Sequence, residues 1–114
     1  GHDPAMLYDS IKNTFVALAG EGLPLGVFEN TRYQSMTGEI QPGQIVIIGT
    51  DGIWETTSPD GRLFGKNLFK ETNRTQDQDV AEQIVSSVFD DLDSFACNGN
   101  KPDDVTLVIV KVEK

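Results

Sequence analysis

Gly43-Gln44-Ile45-Val46-Ile47-Ile48-Gly49-Thr50-Asp51-Gly52-Ile53-Trp54-Glu55, residues 43–55, is the stretch from which the rest of the chain can be read. Residues 45–48 are apolar and β-branched with no polar alternation, the pattern of a strand covered on both faces. The run stops at Gly49-Thr50, and Asp51-Gly52 then sets a carboxylate directly at its end. Turn residues flank the segment, Gln41-Pro42-Gly43-Gln44 before it and Ser58-Pro59-Asp60-Gly61 after it.

A second acidic site has the mirror arrangement. Asp103-Asp104 stands immediately before Val105-Thr106-Leu107-Val108, the start of a strand expected over 105–112. If the two strands are antiparallel neighbours, the end of one lies beside the start of the other. Asp51 and Asp103 then meet at one edge of a sheet. Carboxylates held together repel until a proton or a cation resolves the charge. A hard dication with oxygen ligands, Mn²⁺ or Mg²⁺, is the natural occupant. Gly52 removes a side chain next to Asp51, so its carbonyl could approach such an ion. Taken singly, each site also reads as an ordinary turn, since Asp-Gly is a common turn dipeptide.

Outside these two sites, residues 5–8 and 15–18 read as short strands, with Asp9-Ser10 and Lys12-Asn13 turning the chain between them. Residues 20–26 form a glycine-rich loop. Residues 33–40 have β-character, with Tyr33, Ser35, Thr37 and Glu39 on one face. A short helix is expected over 65–72, with Leu68 and Phe69 as its apolar side. The clearest helix covers 80–95: Val80, Ile84, Val88, Leu92 and Phe95 fall at helical spacing, Asp77 or Asp79 can cap it, and Asn98-Gly99 ends it. Asp90, Asp91 and Asp93 lie mostly off that stripe. The expected class is α+β, with a helix pair against an antiparallel sheet.

Composition narrows the function classes. The 114 residues make one domain at most, and their formal charge of −9 disfavours nucleic acid and anionic membrane surfaces. The single cysteine, Cys97, excludes an internal disulfide and suits a reducing compartment. It is read as a partly buried helix-end residue. No apolar run is long enough to span a membrane and no signal-peptide pattern is present, so a cytoplasmic location is expected. The sequence opens on Gly1-His2-Asp3-Pro4 rather than Met, as a processed product or a piece of something longer would.

Together these residues resemble a family. The segment 43–55 is similar to the strand-then-Asp-Gly hallmark of PPM-type (type 2C) metal-dependent protein phosphatases. Asp60-Gly61 and Phe64-Gly65 continue the pattern of the bacterial sporulation-stage-II-E-like branch. Asp103-Asp104-Val105-Thr106-Leu107-Val108 resembles its closing motif. Gly1-His2-Asp3-Pro4 and Gly22-Leu23-Pro24-Leu25-Gly26-Val27 match earlier landmarks in the same order.

The resemblance implies an α-β-β-α sandwich, two antiparallel sheets with helix pairs outside. It implies hydrolysis of phosphoserine or phosphothreonine in proteins by water activated between two Mn²⁺ or Mg²⁺ ions, without a phosphoenzyme. Asp51 and Asp103 match metal-binding aspartates. Asp104 stands where many relatives carry asparagine, which implies a supporting role. Glu55, four residues after Asp51, could reach a metal-bound water or a weaker third metal. Thr106 is expected to orient the closing loop by hydrogen bonding. Trp54 is read as core, and His2, the one histidine, as part of a structural landmark. The implied partners are a phosphorylated regulatory protein of the anti-sigma-factor-antagonist type and an upstream sensor or receiver domain.

A full domain of this kind is nearly twice as long, and its first half supplies further metal-binding aspartates. Asp3 and Asp9 do not stand in a matching context. The expectation is therefore the C-terminal half of a phosphatase domain, inactive alone, with an exposed sheet edge that invites a homodimer or intertwined assembly. A rival reading is a non-catalytic module that keeps the fold for partner binding through 20–26 and 80–95; the retention of both Asp51 and Asp103 argues against it. A calcium-binding domain is the weaker third, because the dense alternating acidic loop is missing.

Overall fold

The computed structural model describes residues 3–19, 25–75, 79–97 and 104–113. The run at 45–48 becomes β3 (Gln44–Gly49), at the centre of a four-stranded sheet with β1 (Ala5–Asp9), β2 (Thr14–Leu18) and β4 (Leu107–Lys111). The order is β2-β1-β3-β4 and all three pairings are antiparallel. The hairpin turns where the sequence places it, between Asp9 and Thr14. Asp9 closes the turn: its Oδ1 accepts the amides of Ile11 (3.0 Å) and Lys12 (3.1 Å), and its Oδ2 accepts the Gln44 amide nitrogen (3.2 Å) on β3. Asn13 takes a left-handed φ of 53° to complete it.

Three helices complete the chain: α1 (Asp51–Trp54), α2 (Gly65–Thr75) and α3 (Ala81–Ala96). On α3, Ile84, Val88, Leu92 and Ala96 recur every four residues and are all buried. Ile84, Val88 and Leu92 join Tyr8, Ile45 and Ile47 of the sheet and Ile53, Phe64 and Phe69 in one core cluster. Each fully buried aliphatic side chain here stabilises by roughly 1.5–3 kcal/mol. Thr72 on α2 donates its hydroxyl to Asp91 on α3 at 2.7 Å, so one acidic residue outside the apolar stripe ties the helix pair together.

The α+β class, with a helix pair on one face of an antiparallel sheet, stands as expected. Several local expectations change. Residues 31–41 form no strand, although 33–40 has β-character. A strand exists by its ladder, and propensity without a partner does not make one. This segment instead lies against the far face of the sheet, where Met36 and Ile40 line a hollow with Leu7, Leu18 and Val46. That segment helps bury Val46, whereas Ile48 is 37% exposed, so β3 is covered on both faces only in part.

The helix α2 runs to Thr75, past position 72, because Thr72 and Asn73 face the core and keep the helix packed. The N-cap of α3 is Val80, with no side-chain cap. Asp79 lies one position too early for that role, and its carbonyl accepts Lys111 Nζ at 2.6 Å, joining the start of α3 to the end of β4. Asp77, Asn98 and Gly99 lie outside the described residues. Cys97 ends α3 in a left-handed conformation and is exposed, not partly buried.

Candidate functional site

The β3–β4 pairing fixes the geometry that matters. Ile48 pairs with Val108 and Gly49 with Leu107, so the C-terminal end of β3 lies beside the N-terminal start of β4. Asp51 follows that ladder by two residues on one strand, and Asp104 to Thr106 lead into it on the other. Thr50 stitches the two together. Its amide donates to the Thr106 carbonyl (3.1 Å), and its hydroxyl oxygen accepts the Thr106 amide (2.9 Å). The hydroxyl proton faces the carbonyls of Asp104 (3.3 Å) and Thr106 (3.4 Å).

Beyond Thr50 the chain winds into α1 rather than a simple turn. Ile53 donates its amide to the Thr50 carbonyl (3.0 Å) and Glu55 to the Asp51 carbonyl (2.9 Å). This puts Asp51 and Glu55 one helical turn apart, on the same side of it. Both carboxylates are exposed, as is Asp104. Gly52 is buried, and its carbonyl accepts the Thr56 hydroxyl at 2.7 Å, which occupies one of its two lone pairs. Trp54 packs inward, its ring 5.9 Å from that of Phe69, with Lys66 Nζ 5.1 Å from its centroid.

The donor atoms gathered at this edge are all oxygens, the kind a hard dication takes. The described residues supply only part of a metal shell, since among them no group of three or more His, Cys, Asp or Glu side chains stands close enough to hold an ion. Asp103, expected as the second ligand, lies outside the described residues, as do Gly1 and His2. Thr106 engages the closing segment through its main chain; the hydroxyl in those bonds belongs to Thr50. Thr50 is a functional-site residue that no motif in the sequence singles out, although its place between a buried strand and an Asp-Gly pair is a signal.

The Asp60-Gly61 landmark has a structural use. Asp60 accepts the Ser58 hydroxyl and pairs with Arg62 (3.0 Å), and a bridge between Thr57 and Leu63 closes the loop. The Ser58 hydrogen bond, then the Arg62 guanidinium, hold its carboxyl below the ordinary value of 3.8.

A family model described as stage II sporulation protein E (SpoIIE) matches residues 1–113. The phosphoserine phosphatase RsbU of Bacillus subtilis is 26% identical over 111 residues, covering 97% of this chain and 32% of that protein. Protein IcfG of Synechocystis is 27% identical over 112 residues, covering 96% of this chain and 17% of that protein. The chain therefore spans about a third or less of the curated relatives it matches. Among solved structures, the SiaA PP2C domain of Pseudomonas aeruginosa superposes with a TM-score of 0.79 at 15% identity, covering 99% of this chain and 44% of that one. The phosphatase domain of SpoIIE from Bacillus subtilis, with part of its regulatory domain, gives 0.72 at 18% identity, covering 99% and 32%. These likenesses give the chain the PP2C-type phosphatase fold.

Proposed function

Because this chain belongs to the stage II sporulation protein E family, we propose that it forms the C-terminal half of a metal-dependent phosphatase domain that hydrolyses phosphoserine or phosphothreonine on a regulatory protein. The observation that carries this reading is the placement of Asp51 at the end of β3 against the start of β4, at the edge where the sequence sets Asp103. Asp51 and Asp103 would hold Mn²⁺ or Mg²⁺, with Glu55, Asp104 and the Gly52 carbonyl in supporting positions. When bound, two such ions lower the pKa of a water and neutralise charge on the phosphoryl oxygens.

The protein's own contribution is positional. The end of β3 sets where Asp51 leaves the sheet, the β3–β4 ladder brings the segment Asp104–Thr106 beside it, and α1 turns Glu55 to the same side as Asp51. A two-metal site needs more carboxylates than Asp51 and Asp103 to offset its charge, so the 114 residues by themselves are expected to turn over no substrate. The name of RsbU supports phosphoserine as the substrate group. An anti-sigma-factor antagonist is the substrate protein this reading favours, with a sensor or receiver domain upstream.

The test is phosphate release from a phosphoserine peptide by the full-length protein, with and without Mn²⁺. Turnover should require the metal and fall by about 100-fold or more in Asp51→Asn and in Asp103→Asn, as loss of a ligand demands more than the 10–100-fold typical of a supporting residue. Metal-independent turnover would overturn the two-metal reading, and a folded full-length protein with no turnover would favour the non-catalytic module instead.

A further inference from the structure

We infer that Thr50 is a positioning residue for metal binding, holding the Asp51 turn and the segment Asp104–Thr106 at a fixed separation. This rests on the reading that Asp51 and Asp103 are ligands. Thr50 is the N-cap of α1, with extended backbone angles of φ −93° and ψ 160°. A threonine there ordinarily turns its hydroxyl to the amides of the helix it caps. Thr50 makes no such bond. Its hydroxyl is given to the closing segment, accepting the Thr106 amide at 2.9 Å and facing the Asp104 carbonyl at 3.3 Å.

That diversion has a physical purpose at this place. Gly49 and Leu107 are the last ladder pair. Past them Thr50 joins the two ends: one bond runs from its amide to the Thr106 carbonyl, and others from its hydroxyl. If Asp51 and Asp103 are the ligands, their carboxylates repel when no cation is bound, which favours fraying of this end. Metal–ligand distances tolerate only about 0.2 Å, so a frayed end would have to be re-formed each time an ion binds. The hydroxyl presets it.

The experiment uses the full-length protein with Thr50→Val, which keeps the branched shape and removes the hydroxyl, and Thr50→Ser, which keeps it. Mn²⁺ affinity is measured by titration calorimetry, alongside melting in chelator and KM for a phosphoserine peptide. Gly43→Ala, which strains a turn with φ of 89° at the opposite end of β3, controls for general destabilisation. Thr50→Val should bind Mn²⁺ about 10-fold or more weakly with KM little changed, Thr50→Ser should regain most of that loss, and Gly43→Ala should bind as wild type. Wild-type affinity in Thr50→Val, an equal loss in Thr50→Ser, or an equal loss in Gly43→Ala would each overturn the inference. If Thr50→Val does not fold, Thr50→Ala takes its place under the same criteria. A wild-type protein that binds no Mn²⁺ removes the metal-site reading and this inference with it.

Discussion

A Cβ on Gly49 would stand 2.8 Å from Ile53 Cδ1, 3.3 Å from the Trp54 ring and 3.4 Å from the Phe69 ring. Ile53 is fully buried, so its methyl has nowhere to retreat. The missing side chain lets α1 fold back over the strand that precedes it, and thereby sets where Asp51 leaves the sheet. Gly49→Ala should lower stability by about 1–3 kcal/mol, as overpacking of a core does. Urea unfolding measures this, and an unchanged midpoint would show that α1 is not held by this contact. The sequence makes Gly49 visible as a strand terminator but not as a packing surface, because the partner atoms come from residues four, five and twenty positions later.

Among the elements, the β1–β2 hairpin and the β3–β4 pair were the most legible, since each combines apolar runs with turn residues at their ends. The carboxylate of Asp9 adds a pH dependence to the first. Hydrogen bonds from the Lys12 amide, then the Gln44 side chain, hold its pKa below the ordinary value of 3.8. A depressed carboxylate stabilises the fold above its unfolded pKa and loses that contribution as pH falls through the folded value. Asp9→Asn should therefore make the fall in melting temperature below about pH 4 shallower. An identical acid profile would mean that the turn does not depend on the ionised group.

Residues 33–40 depart from their sequence pattern at the same scale. Their alternation was real, but nothing in a local pattern says whether a neighbouring strand has a free edge to pair with. The one-turn helix α1 was hidden for the opposite reason: Asp-Gly signals a turn, and the helical hydrogen bonds that follow depend on Ile53 finding the core. The role of Thr50 needed β4 in place, because its hydroxyl partners are more than fifty residues away in sequence.

At the scale of the whole molecule, one face of the sheet is closed by α2 and α3 and the other is largely open. Val16, Leu18, Ile48, Val108 and Val110 are between 37% and 54% exposed, more than a covered sheet face leaves. The molecule measures 45 × 39 × 20 Å, the thickness of one sheet and one helix layer. Its radius of gyration of 15.5 Å exceeds the roughly 13 Å of a compact chain of this length. A second sheet over the open face, as the proposed sandwich provides, accounts for both. No described helix is long and apolar enough to cross a membrane.

The central claim is that the end of β3 and the approach to β4 together form one metal site. Mn²⁺ binding to the full-length protein, measured by calorimetry for Asp51→Asn, Asp103→Asn and the double variant, tests it most directly. Each single change should weaken binding strongly, and the double change should add much less than the product of the two, because both carboxylates serve the same ions. Wild-type Mn²⁺ affinity in the double variant, with its fold intact, would contradict the claim.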